Sequence, residues 1–302
     1  MLRDNLSCID LDQPNLEGFR KFISCWLYQT AEQTFVVDPG PLSSIPRLVA
    51  ELRKRRVETL DYILLTHIHI DHAGGTGELL KSYPQARVIC HPEGIKHLLD
   101  PAKLWQGSQK VLGKLAAAYG EIIPVPETSI GYEEKIGTTA IRSFLTPGHA
   151  QHHCCYLFDD LLFGGEVAGV HCPIADGIYL RPATPPRFLL EVAVDSLERM
   201  IALQPRSLVI AHYGLVEPAL DYLKTGLNQL KLWVECVSRY ADLPEPQAKQ
   251  KIIQWLLNND PNFCHFSQLD DDIRAREQSF LDNSLRGMRD YVARLSATGS
   301  DR

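Results

Sequence analysis

Long apolar runs are missing from this 302-residue chain. Nothing approaches the roughly 18 consecutive apolar residues of a membrane-crossing helix, which excludes a protein anchored by such a helix. The opening MetLeuArgAspAsnLeuSer has no apolar h-region, so no secretory signal is expected. Basic runs are short, and Lys plus Arg number 31 against 37 Asp plus Glu, for a net charge of −6. That balance argues against sustained attraction to nucleic acid or to a membrane surface. No Cys-x-x-Cys occurs among the eight cysteines, and the adjacent Cys154 and Cys155 suit neither a zinc knuckle nor an easy mutual bridge. The expectation is therefore reduced, mostly buried thiols in a cytoplasmic protein, with Cys172, next to His171, the one expected near a cleft. There is no Gly-x-Ser-x-Gly elbow, no repeat and no low-complexity tract.

What the chain does have is histidine in one place. ThrHisIleHisIleAspHis runs from Thr66 to His72, directly after the apolar run TyrIleLeuLeu at 62–65. Imidazole nitrogen and carboxylate oxygen are the donors that zinc and comparable divalent ions take. His67 and His69 are two apart and face the same way in an extended chain, while Asp71 and His72 sit at the turn into AlaGlyGlyThrGly. One loop can thus feed two adjacent metal positions. His149 follows a strand-like run at 141–145, Glu166 follows LeuLeuPhe at 161–163, and His212 follows SerLeuValIleAla at 207–211. Each stands where loops at the carboxyl ends of strands gather ligands.

The pattern along the chain is strands first and helices last. LeuSerCysIleAspLeu, PheIleSerCysTrpLeuTyr and ThrPheValValAsp read as strands within the first 40 residues. A helix is expected over 42–56, its basic end LeuArgLysArgArg being a solvated C-terminus, followed by a strand at 62–66 and a helix opening at GlyThrGlyGluLeuLeu. A strand at 87–91, an amphipathic helix at 103–119 forming one wall of a cleft, and four short strands within 130–165 follow. Residues 167–185 show no periodicity and contain His171, Tyr179, Arg181 and three prolines. Long irregular connections are often functional. A helix at 186–200 and a strand at 207–211 precede helices at 217–241, 245–258 and 270–296, with Leu230, Trp233, Trp255 and Leu256 expected as core. The tail SerAlaThrGlySerAspArg is expected to fray. The division expected is a catalytic part at 1–215 and a helical extension at 216–302, which either caps the site or forms a homodimer surface.

Across roughly 5–215 these motifs resemble the metallo-β-lactamase superfamily, whose main motif is matched by HisIleHisIleAspHis. The resemblance implies a four-layer αββα sandwich with the site at one edge. It implies that His67, His69 and His149 hold a first metal, that Asp71, His72 and His212 hold a second, and that Glu166 and a water bridge them. AspProGly at 38–40 matches the family's early turn, with Asp38 supporting the metal loop. The stretch from GlyGluValAlaGlyVal through TyrLeuArgProAlaThrProPro is similar to a prokaryotic branch for which resemblance gives fold and chemistry without a substrate. One departure stands out. The family usually places Asp where this chain has Glu166, so bridging of two metals and binding of one both stay open. Zinc is the metal expected first, with iron or manganese also accepted by such ligands.

A water held between two divalent ions becomes a nucleophile near neutral pH. Asp71 would orient it and carry a proton, and Tyr213 and Tyr179 are candidate donors to a developing oxyanion. Arg181 is a candidate partner for a substrate carboxylate. His171 and His152 are weaker candidates, and His153 is expected to point away from its neighbour along a strand. The leading expectation is a metal-dependent hydrolase of a small ester, thioester or lactone. Relatives that use one iron to oxidise persulfides give the alternative, with His67, His149 and Glu166 as ligands. A phosphodiesterase or nuclease lacks its basic surface here, and the near-complete ligand set argues against a degenerate binding module. β-Lactamase activity is not expected.

Overall fold

In the computed structural model, which describes residues 3–175 and 177–299, the chain forms two compact units. The first comprises Met1–Leu145, His152–Gly165 and Val209–Gly214. Its elements in order are β1 (Leu6–Asp10), β2 (Ser24–Gln29), β3 (Thr34–Val37), α1 (Ile45–Lys54), β4 (Tyr62–Leu64), α2 (Ile70–Ala73), α3 (Thr76–Ser82), β5 (Arg87–Ile89), α4 (Pro92–Leu99), α5 (Ala102–Leu112), α6 (Lys114–Tyr119), β6 (Ile130–Gly131), β7 (Ile141–Leu145), β8 (Cys154–Phe158) and β9 (Leu161–Phe163).

β1 to β6 form one sheet in sequence order. β1, β2 and β3 pair antiparallel, and β3 to β6 pair parallel. Parallel neighbours need crossover connections, which α1, α3 and the α4–α6 group supply. β7, β8 and β9 are antiparallel neighbours in a second sheet. It continues where Gly164 N donates to Val209 O (2.9 Å) and Ala211 N donates to Gly165 O (3.1 Å). β8 and β9 are buried at every residue and β2 at all but its last. Both faces of these strands are therefore covered, and simple alternation gives way to continuous apolar runs. The two sheets meet through aromatics. Phe35 meets the edges of Phe158 and Phe163, both at 5.9 Å, and Tyr156 sets its hydroxyl against Leu65 O and Ile89 O at 2.8 and 3.0 Å.

The second unit comprises Thr146–Gln151, Glu166–Leu208 and Leu215–Arg302. It contains β10 (Val170–Ile174), β11 (Gly177–Arg181), α7 (Leu190–Ala202), β12 (Ser207–Val209, its last residue in the first unit), β13 (Leu215–Val216), α8 (Ala219–Arg239), α9 (Glu245–Asn259) and α10 (Asp271–Gly299). Asp260 ties this unit together. Its Oδ2 accepts from Trp233 Nε1 (2.6 Å) and Gln229 Nε2 (2.8 Å), while Oδ1 accepts from the backbone of Asn262 and Phe263. Leu230, Trp233 and Leu256 are core as expected, whereas Trp255 is half-buried beneath the Arg239 guanidinium.

Several expectations change. Residues 170–181 are an antiparallel hairpin, too short and too completely buried in its inner half to show a period of two. The helix expected at 103–119 is broken at Gly113, whose φ of +54° cannot continue it. α7 starts at Leu190, after Arg187 at φ +76°. The strand at 207–211 ends at Val209. The expected border at 215 does not match the compact units, because 146–151 and 166–208 pack with the C-terminal helices. The expected frayed tail is helical to Gly299, and its last three residues lie outside the described residues.

Candidate metal centre

Within the first unit the site is built at the end of β4. Asp38, just past β3, is buried and sits at φ +53°, where its backbone N donates to Leu64 O (3.0 Å). Its Oδ1 accepts from Thr66 N (2.8 Å), its Oδ2 accepts from Thr66 Oγ1 (2.6 Å), and Oδ2 lies 3.3 Å from His72 Nδ1. Gly40, at φ +85°, donates its N–H to His72 O and accepts from Gly75 N at 2.8 Å. The AspProGly turn thus clamps both ends of the histidine loop.

His69 is extended, and the single turn of α2 begins directly after it, which puts Asp71 and His72 on the opening turn. His67 is fully buried, with Nδ1 3.1 Å from Thr66 Oγ1 and its ring 4.5 Å from that of His69 and 4.3 Å from that of His72. His212 arrives from the far end of the unit and stacks on Phe22 at 4.1 Å. Asp71 Oδ2 is 3.5 Å from His72 Nε2 and 3.9 Å from His212 Nε2, and the three ligand atoms of this trio lie within 4.8 Å of one another. Two imidazole nitrogens and a carboxylate oxygen at that spacing fit a divalent ion. A proton on His72 Nδ1, directed to Asp38 Oδ2 3.3 Å away, would leave Nε2 bare toward that cluster.

His152 and His153, not singled out as ligands, lie close by. The His152 ring is parallel to His67 at 6.4 Å, and His153 is 5.6 Å from it. A Cβ on Gly165 would come within 2.4 Å of His153 Nε2, so only glycine fits there. Tyr213 is half-buried. Burial, and then the charges of Asp10, Cys8 and Asp12, push its phenol above the ordinary range, so it stays a proton donor at neutral pH.

Within the second unit, His149 and Glu166 face each other. His149 Nε2 is 2.9 Å from Glu166 Oε2, and His149 Nδ1 is 3.0 Å from Ala183 O. If the Nδ1 proton goes to that carbonyl, Nε2 is bare and needs a proton or a metal ion between it and the carboxylate. This pair too has the donor chemistry of a metal site.

The remaining candidates in this unit are engaged elsewhere. Arg181 is buried, with Nε 2.5 Å from Glu277 Oε2, so its guanidinium is committed to an internal ion pair and not presented to a substrate carboxylate. Tyr179 is fully buried against Phe263 and Phe266, both at 5.9 Å, which removes it from any surface a substrate reaches. His171 is buried edge-on to Tyr222 at 5.5 Å. Cys172 accepts from Arg276 Nη2 at 3.2 Å, and burial pushes its thiol up to about 11, which keeps it protonated. Phe22 beneath His212 and Glu277 opposite Arg181 leave no trace in the local sequence pattern, since both contacts join residues far apart in the chain.

Comparison with known proteins fits this geometry. The sequence profile of the metallo-β-lactamase superfamily matches residues 18–212, so the chain belongs to the metallo-β-lactamase superfamily. It has that superfamily's mixed α/β fold, with a helical region at the C-terminal end. The metallo-β-lactamase fold-containing protein ST1585 of Sulfurisphaera tokodaii is 36% identical over 212 residues, covering 67% of this chain and 77% of that protein. The crystal structure of ST1585 matches with a TM-score of 0.68 at 26% identity, covering 94% of this chain and 98% of that one. A metallo-β-lactamase family protein of Thermus thermophilus, TTHA1429, shares the fold with a TM-score of 0.66 at 17% identity, covering 97% and 95%. A hydroxyacylglutathione hydrolase of Francisella philomiragia is 27% identical over 157 residues, 49% of this chain and 52% of that protein, so the chain spans about half the length of that relative.

Proposed function

We propose that this protein is a binuclear metal-dependent hydrolase of a small ester, thioester or lactone. The observation that carries the reading is the convergence of Asp71, His72 and His212 from two distant segments onto one point, beside His67 and His69. In this reading His67, His69 and His149 would hold one divalent ion, Asp71, His72 and His212 would hold the second, and Glu166 would supply a further carboxylate. Zinc is the metal proposed, and its chemistry when bound is to activate water near neutral pH and to polarise a carbonyl. Asp71 orients the attacking water by accepting its hydrogen, then holds the proton until the leaving group takes it. Tyr213, kept as a phenol, donates to the carbonyl oxygen as negative charge develops there.

A thioester belongs in the proposed substrate class because one matched relative is a hydroxyacylglutathione hydrolase. The eight cysteines, all among the described residues, form no disulfide, which supports a reducing, cytoplasmic setting. The test is elemental analysis of the purified chain, followed by ester, thioester and lactone panels. About two zinc ions per chain with turnover in one panel is the expected result. Asp71→Asn is expected to lower kcat/KM by about a hundredfold or more with the fold unchanged. One iron per chain with oxygen uptake on a persulfide would overturn the proposal in favour of oxidation.

A further inference from the structure

α5 breaks the ordinary rule for an amphipathic helix. Eleven residues long, it carries Leu104, Trp105, Val111 and Leu112 within one broad arc, yet none of its residues is buried. Val111 is 61% exposed, and Leu104, Trp105 and Leu112 are half-exposed. Such a stripe normally faces a core. α4 precedes it, and α6, anchored by buried Ala116 and Tyr119, follows beyond the left-handed Gly113. A Cβ at Gly107 or Gly113 would meet nothing. The helix is thus open on its Gly107 side, while Leu104, Trp105, Ser108 and Leu112 are half-buried.

Its charge is the opposite of the chain's. Between Asp100 and Glu121 there is no acidic residue, while Lys103 and Lys110 on one side of α5 and Lys114 at the start of α6 are all exposed. The net charge of −6 for the whole chain conceals this local cationic rim. Apolar residues with a tryptophan, bordered by lysines, are the composition of a helix that lies in a lipid–water interface. Two copies of α5 packed face to face would bring four lysines together with no carboxylate on either helix. Among the described residues the other exposed large apolar side chains are Leu189 and Leu295.

We propose that α5 is a docking helix for an anionic lipid surface, with Leu104, Trp105, Val111 and Leu112 entering the headgroup boundary and Lys103, Lys110 and Lys114 meeting lipid phosphates. The inference does not depend on the hydrolase reading, since it concerns binding alone. It refines the expectation from net charge, which holds for the chain as a whole and fails for this helix.

The test is cosedimentation of the full chain with vesicles of phosphatidylcholine alone and of equal parts phosphatidylcholine and phosphatidylglycerol. Binding to the mixed vesicles is expected to exceed that to phosphatidylcholine by about tenfold or more at low salt and to weaken at high salt. Val111→Glu and the triple change Lys103→Gln, Lys110→Gln, Lys114→Gln alter only exposed positions. Each is expected to lower binding to the mixed vesicles about tenfold. Leu295→Glu, on α10, is expected to leave it unchanged. Equal binding to both vesicle types, or binding unmoved by the α5 variants, overturns the proposal. So does a change of oligomeric state in Val111→Glu without a change in vesicle binding, which would assign the face to self-association.

Discussion

Replacing Asp38 by Asn changes one atom of a residue that need not touch metal, yet it should disable one metal position. In the native protein both carboxylate oxygens accept. Oδ1 takes Thr66 N–H at 2.8 Å, and Oδ2 takes Thr66 Oγ1–H at 2.6 Å and faces His72 Nδ1 at 3.3 Å. An asparagine keeps the first bond through its carbonyl oxygen. Its NH2 then occupies the Oδ2 position, where the Thr66 hydroxyl can rotate to accept. The imidazole cannot make that adjustment without moving its proton. His72 must leave Nδ1 bare to receive the amide, so the proton shifts to Nε2, the nitrogen turned toward Asp71 and His212. Losing such an outer partner of a metal-binding histidine typically costs about 10- to 100-fold in affinity, or about 1.4–2.8 kcal/mol. Competition titration of zinc should show the weaker of two affinities falling by that factor in Asp38→Asn, with the other moving little. Asp38→Ala, which leaves the Thr66 donors in a buried site without their acceptor, should also destabilise the fold by about 3–5 kcal/mol. An Asp38→Asn protein that binds both metals as tightly as the parent would refute the tautomer argument.

Other expectations follow from packing and charge. Burial alone would raise the Glu277 carboxyl, but Arg181 and Arg276 outweigh it and hold it below its ordinary 4.5. Its contribution to stability is therefore fully present above the unfolded value and lost as pH falls through the lower folded one. Glu277→Gln leaves two buried guanidiniums without their carboxylate. It should cost about 3–5 kcal/mol at neutral pH, with the gap to the parent narrowing below about pH 4 in urea melts. Gly165→Ala combines φ +55° with a Cβ 2.4 Å from His153 Nε2. It should destabilise by about 2 kcal/mol or more, seen as a lower urea midpoint at unchanged slope, and an unchanged midpoint would mean the loop yields more easily than its contacts imply.

Much of the fold was legible in the chain because its strands are short, apolar and closely punctuated. The run TyrIleLeuLeu before the histidine loop is a parallel strand flanked by two others, and AspProGly at 38–40 is the turn that clamps the loop. Short-range spacing was enough to place His67, His69, Asp71 and His72 together. The less legible features depend on long-range contacts. Tyr179 and Arg181 are polar residues in a stretch without periodicity, which invites a functional reading. Their partners Phe263, Phe266 and Glu277 lie 84 or more positions away, and only the folded chain shows that the Tyr179 ring is packed inside and that Arg181 is ion-paired there. α5 misled in the opposite sense, since its periodicity announces a helix with a buried stripe, and the structure leaves that stripe only half-buried with Val111 exposed.

The interleaving of the two units has a consequence for how this polypeptide can be made. The chain passes between units after Leu145, Gln151, Gly165, Leu208 and Gly214, so neither unit is a contiguous stretch of sequence. On a ribosome, residues 166–208 emerge long before the helices they pack against. Phe188, which meets Tyr291 edge-on and gives its carbonyl to Arg294, must wait about a hundred residues for both partners. A gene cut at residue 215, where the strands give way to helices, would yield a fragment that carries His149 and Glu166 on loops stripped of their scaffold. The last third of the chain is thus the missing half of a core whose first half is threaded through the middle of the sequence.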